Sequence, residues 1–179
     1  MSNIKGERSN VIQADAQAIY DYISDFTRHT EWNYQPTEIT KITEGPIAVG
    51  SVFRAKEQPP GNAPWFVARI MLPFMLKLTG FQGYTEAEIT AMEPSRRLAW
   101  KAVAPARKGY MMKAEWEILL EPRGDATKVT QRYHYVPGLK FMERQSEDMT
   151  QQIGEEVATN LEALKGTLEG QFVNHRHPA

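Results

Sequence analysis

Residues 109–136 read GYMMKAEWEILLEPRGDATKVTQRYHYV. Tyr110, Met112, Ala114, Trp116, Ile118 and Leu120 alternate with Lys113, Glu115 and Glu117, which is the period of two of a strand with one apolar face. Pro122-Arg123-Gly124-Asp125 is a turn signal, and Thr127–Val136 returns as the neighbouring antiparallel strand. Leu139–Phe172 then runs without proline. In it Met142, Met149, Ile153, Val157, Leu161, Leu164, Leu168 and Phe172 recur three, four or seven residues apart, with Glu and Gln on the other side. That is one long amphipathic helix, starting between Gly138 and Met142; a helix of about thirty residues spans ~45 Å. A sheet followed by a single long helix predicts a sheet curled around that helix, enclosing a cavity.

Working outward, Gly83–Met92 and Arg97–Ala104 read as strands joined at Glu93-Pro94-Ser95, and Glu38–Thr43 and Ser51–Glu57 as strands joined at Glu44-Gly45-Pro46. No crossover helices separate them, so the sheet is antiparallel. Residues 3–13 form a first strand. Asp15 suits an N-cap, and Ile19, Ile23 and Phe26 follow at helical spacing with Tyr20 and Tyr22 alongside. Thr27–Asn33 adds a second short helix anchored by Trp32 and ended by Pro36.

At 179 residues the chain is one domain with a proper core, and 41% hydrophobic with 24% charged residues is ordinary for a soluble protein. A net charge of -1 gives no reason to expect nucleic acid as a partner. The absence of cysteine removes disulfides, thiolate nucleophiles and cysteine metal sites, and permits the cytoplasmic location expected here. Met1–Asn10 is polar and is not expected to be a secretory signal.

Several segments carry a family resemblance. Ala14–Phe26, with Trp32-Asn33 after it, resembles the opening of the polyketide cyclase/dehydrase branch of the START-like (SRPBCC) superfamily. Gly45–Arg54 resembles that family's second hairpin, Ile89–Trp100 its central hairpin and Glu121–Thr130 its last one. The resemblance spans roughly residues 4–172 in the expected order. It implies an α+β helix-grip fold: a seven-stranded antiparallel sheet around a long C-terminal helix, two short helices after the first strand, and a deep apolar cavity. It implies a single START-like domain over 1–174 with an apolar insert at about 58–83, and 175–179 as a disordered tail. It does not imply one activity, because the matched residues are architectural. Members include lipid and hormone binders, aromatase/cyclases, ubiquinone-binding proteins and hydroxylase subunits. The last need Cys and His ligands for a Rieske cluster, so a chain without cysteine does not belong to that branch.

The insert departs from the family pattern. In Trp65–Phe81, Val67, Ile70, Met71, Phe74, Leu78 and Phe81 fall on one helical face and Arg69, Pro73 and Lys77 on the other. It is too short and too charged for a membrane span. The expectation is a lid over the cavity mouth, with Phe74 turned inward; the rivals are weak membrane contact through 65–81 and a dimer surface. The oligomeric state is left open.

Alternation assigns the cavity lining. Leu98 and Trp100 face in on the fifth strand; Tyr110, Met112, Ala114 and Trp116 on the sixth; Val129, Gln131, Tyr133 and Tyr135 on the seventh. Together with Phe74, Met149 and Ile153, the residues Trp100, Tyr110, Met112, Trp116, Gln131, Tyr133 and Tyr135 are the candidate ligand contacts. A few polar tips in an apolar chamber suit a carbon skeleton with one or two oxygens; the competing reading is that these aromatics fill the core. His134 could serve acid–base chemistry, but the register puts it on the outer face. His29 is expected to be exposed. His175 and His177 lack a carboxylate partner in a fixed element, so no metal and no cofactor is expected. Glu86 with Glu88, and Glu115 with Glu117, share strand faces opposite the apolar ones and read as a solvated charge ladder.

Two function classes follow. The first is binding of a hydrophobic small molecule, such as a lipid, quinone or polyketide. The second is a polyketide cyclase or dehydratase in which Tyr133, Tyr135, Gln131 or His134 positions and protonates a carbonyl oxygen without metal. A protein-interaction module using the insert's apolar face ranks third.

Overall fold

The structure, a computed structural model, describes residues 4–34, 36–57, 80, 82–107, 109–138 and 146–170. In order these form β1 (Ile4–Ile12), α1 (Ala16–Ser24), a 3-10 segment (Phe26–Glu31), β2 (Pro36–Lys41), β3 (Val52–Glu57), β4 (Tyr84–Glu93), β5 (Arg97–Ala106), β6 (Gly109–Arg123), β7 (Ala126–Pro137) and α2 (Ser146–Leu168). The seven strands make one antiparallel sheet in the order β1-β7-β6-β5-β4-β3-β2. This is the α+β helix-grip architecture that the hairpins and the late helix predict. The insert Trp65–Phe81, apart from Gly80, lies outside the described residues, as do Phe74, Met142, Phe172 and the tail 175–179.

The sequence-adjacent strands β1 and β2 sit at opposite edges of the sheet. α1 and the 3-10 segment therefore carry the chain across one end of it. Asp15 caps α1, its carboxylate accepting from the Ala18 amide at 2.8 Å, and Asp25 caps the 3-10 segment through the Thr27 amide at 3.1 Å. Ile19 and Ile23, four apart on α1, are fully buried.

Irregularities curve the sheet. The register shifts in the β2–β3 pairing near Thr37, in β4–β5 near Thr90 and in β5–β6 near Met111. Each extra residue bends its strand and tightens the twist. α2 packs chiefly against β1 and less against β7, burying Val157, Leu161 and Leu164. Gly6 on β1 makes the close approach feasible: a Cβ there would fall 2.5 Å from the Tyr133 hydroxyl oxygen. Gly154 on α2 meets the same hydroxyl from the other side, at 3.2 Å from where its Cβ would stand.

The opposite face of the sheet is the expected charge ladder. Glu7, Arg132, Glu117, Arg97 and Glu93 link β1, β7, β6, β5 and β4 through ion pairs of 2.6–3.3 Å. Glu86 pairs with Arg54 and Glu88 with Lys101. These pairs are solvated, so they add little stability and keep that face wet. No helix among the described residues is long and apolar enough to cross a membrane.

Candidate functional site

Two neighbouring cross-strand rows shape the inward face. One row runs Ile89, Trp100, Trp116, Tyr133 through β4, β5, β6 and β7. The next runs Phe53, Ala87, Ala102, Ala114, Tyr135 through β3 to β7. Side chains on one face of paired strands stand side by side, so Trp100, Trp116 and Tyr133 of the first row make a wall of rings, and Ala87, Ala102 and Ala114 of the second make a floor of methyl groups. Trp100 and Trp116 stack with centroids 6.0 Å apart, and Trp116 meets Tyr135 edge-on at 5.2 Å. Above the floor is a chamber of about 410 Å³, bordered on the helix side by Met149, Ile153 and Glu156. Ala55, Ala87, Ala102, Ala104 and Ala114 all border it. A second hollow, about 250 Å³, lies on the charged outer face among Glu38, Arg54, Lys56 and Tyr84; its walls are those of a surface groove, not of a container.

The sequence-stated candidates divide among three places. Trp100, Met112, Trp116, Tyr135, Met149 and Ile153 border the chamber. Gln131 and Tyr133 share the inward face of β7 but are not part of the chamber wall. Tyr133 is buried between Gly6 and Gly154, and its hydroxyl donates to the Thr150 carbonyl on α2 at 3.4 Å. Gln131 is 1% exposed, and its Oε1 has no hydrogen-bond partner among the described residues. Tyr110 is a correction. The extra residue at Met111 breaks the alternation, so Met111 and Met112 both border the chamber and Tyr110 turns the other way, its ring 4.2 Å from the Lys113 ammonium. His134 stands on the outer face, as the register predicts, with Nδ1 3.1 Å from Glu115.

His29 is the second correction, and a functional candidate that the sequence reading passed over. It is 3% exposed, not on the surface, and forms part of the chamber wall. The cause is the geometry of its segment. A 3-10 helix repeats every three residues, so side chains at i and i+3 eclipse. Phe26, His29 and Trp32 are three apart and all buried. The His29 ring stacks on Phe26 at 4.2 Å and sits edge-on to Trp100 at 5.6 Å. Burial pushes its pKa down to about 4, against a weaker opposing pull from its bond to the Ile23 carbonyl and from Asp25. The ring is therefore neutral at physiological pH. The Phe-x-x-His-x-x-Trp spacing is the signal that finds it, once the segment is known to be 3-10.

Other polar groups near the chamber hold the scaffold. Asn160 of α2, 2% exposed, accepts from the Tyr34 amide at 3.1 Å and donates to Asn33 Oδ1 at 3.2 Å, which ties the helix to the chain beyond the 3-10 segment. Glu156 is the one charged side chain bordering the chamber among the described residues. Among those residues no three His, Asp or Glu side chains converge as metal ligands would.

Comparisons with known proteins agree with this architecture. The chain is similar in structure to the Zhui aromatase/cyclase from Streptomyces sp. R1128, at 11% identity over 94% of each chain with a TM-score of 0.67. It is also similar to the di-domain ARO/CYC StfQ from the steffimycin biosynthetic pathway, at 9% identity over 94% of this chain and 51% of that one, TM-score 0.65. A Thermobifida fusca protein solved by NMR matches at 16% identity over 98% of this chain and 99% of that one, TM-score 0.63. At these identities the likeness is one of fold. No curated protein matches the sequence significantly. The family model described as polyketide cyclase / dehydrase and lipid transport matches residues 3–169, so the chain belongs to that family, with the START-like fold its hairpins suggest.

Proposed function

We propose that the protein binds a hydrophobic small molecule, such as a lipid, quinone or polyketide, inside the chamber, and does so in the cytoplasm. The observation that supports this is the paired rows: a wall of stacked indoles beside a floor of alanines, leaving about 410 Å³ unfilled. Protein interiors are otherwise close-packed, and small-molecule sites occupy roughly 300–1,000 Å³ with mostly apolar walls. Ala102→Leu would put an isobutyl group into that space from the centre of the floor. Titration with the neutral fluorophore N-phenyl-naphthylamine is expected to show saturable binding to the wild type and at least ~10-fold weaker binding to Ala102→Leu. Equal affinity in the two would place the probe elsewhere and sink the reading.

The second reading is a cyclase or dehydratase on a polyketide-like substrate, acting by Tyr or His acid–base chemistry without metal. It is favoured by the family's description and by two aromatase/cyclases among the similar structures. Of its candidates Tyr133, Tyr135, Gln131 and His134, Tyr135 alone borders the chamber among the described residues. A poly-β-ketone incubated with the protein should lose water, read by mass spectrometry, and lose it more slowly with Tyr135→Phe.

A further inference from the structure

The His29 ring carries a fixed hydrogen-bonding sense. Its Nε2 lies 2.7 Å from the Ile23 carbonyl oxygen. A carbonyl can only accept, so the proton is on Nε2. In the neutral ring Nδ1 then has a bare lone pair, and no described residue donates to it. The ring belongs to the chamber wall. Elsewhere on that wall, Asn33 Oδ1 already accepts from Asn160, and further polar side chains among the described residues are Thr85, Tyr135 and Glu156. Nδ1 is thus an acceptor on that wall that no described residue satisfies, and an anionic group set against it would meet a lone pair instead of a proton.

We infer that His29 Nδ1 is a polar recognition point of the chamber, accepting a hydrogen bond from an O–H group, and that the ligand is an apolar, hydroxyl-bearing molecule, phenol or alcohol, with its hydroxyl and not a carboxylate set against the ring. This rests on the chamber being a ligand site. An apolar wall supplies affinity without direction, whereas an acceptor in that wall penalises a ligand that covers it and leaves it unpaired. The Phe26 stack and the Ile23 bond hold the ring in place, so the acceptor is preorganised.

The test uses β-naphthol and β-naphthyl methyl ether, which share a ring system and differ in the donor. Both are titrated against the wild type and His29→Phe, following tryptophan fluorescence. The wild type is expected to bind the naphthol about 10-fold tighter than the ether, the worth of one buried hydrogen bond. In His29→Phe that preference should vanish, the two compounds binding within about twofold of each other whatever the variant does to both. Equal affinities in the wild type, or a preference that survives in His29→Phe, overturn the inference and leave the chamber reading standing. Failure of both compounds to bind removes the chamber reading itself. If His29→Phe does not fold, nitrogen NMR of the wild-type imidazole decides: Nδ1 should shift upfield with the naphthol and stay unmoved with the ether, and an Nδ1 unmoved by saturating naphthol overturns the assignment.

Discussion

Tyr133 and Tyr135 stand two residues apart on the same face of β7, yet they belong to different interiors. Tyr133 lies where α2 crosses β1 and β7, between Gly6 and Gly154, with its hydroxyl on the helix backbone. Tyr135 ends the alanine row and borders the chamber. Small residues occur in both places and do opposite things. Glycines facing a bulky ring let helix and strand close until no space is left. Alanines aligned across β4, β5 and β6 border the chamber. Residue size alone does not make a cavity; what stands opposite decides.

The contrast can be broken by mutation, and the largest effect should come from the filled half. Leu161 on α2 is 1% exposed in the core between helix and sheet. Leu161→Ala is expected to cost ~2–5 kcal/mol, read from urea unfolding, because the removed methyls leave a hole that close packing cannot heal. A loss below ~1 kcal/mol would mean that this half is as loosely packed as the other.

His29, at the boundary, sharpens the comparison through pH. Its folded pKa of about 4 lies below the ordinary value of 6.5. Between those values the unfolded chain takes a proton that the folded protein refuses. The stability tied to neutral His29 is thus complete above about pH 6.5 and falls away as pH drops to about 4. The shift corresponds to ~3 kcal/mol. Asp25 is the charged group that acts on the ring, and it reduces the effect. Relative to His29→Phe, the wild type should lose up to ~3 kcal/mol more between pH 7 and 4. Parallel profiles for the two proteins would show that the ring is not sealed from water.

The smallest effects make the most pointed pair. Gly6→Ala adds one methyl where the Tyr133 hydroxyl and ring already stand 2.5 and 2.7 Å from the new atom, and should cost ~1–3 kcal/mol. Ala102→Leu adds three carbons above the floor and should cost under ~1 kcal/mol, since the chamber has room for them. Reversal of that order in thermal or urea unfolding would erase the distinction between the two halves.

Much of this was legible in the chain. Period-two alternation in β6 and β7 put Trp116 and Tyr135 inward and His134 outward, and heptad-like spacing put Val157, Leu161 and Leu164 on the buried side of α2. Those patterns are local, and a strand or helix has one way to satisfy them. Two residues escaped for stated reasons. Tyr110 lies beyond a bulge, which inverts parity and leaves no mark in the alternation. His29 is a polar residue in a short segment with little periodic pattern of its own, and only its three-residue spacing from Phe26 and Trp32 in the 3-10 turn shows that it is buried.

By itself, then, the sequence determined the strands and the long helix, their antiparallel connection, the split between a charged face and an apolar face, and the family. These follow from short-range period and turn chemistry. Only the tertiary structure decided that Ala87, Ala102 and Ala114 fall into one row, that α2 packs chiefly on β1 and borders the chamber through Met149, Ile153 and Glu156, and that His29 stands at the chamber with one nitrogen committed. Register between strands and the placement of a helix over a sheet depend on contacts among residues far apart in sequence, and no single segment carries that information.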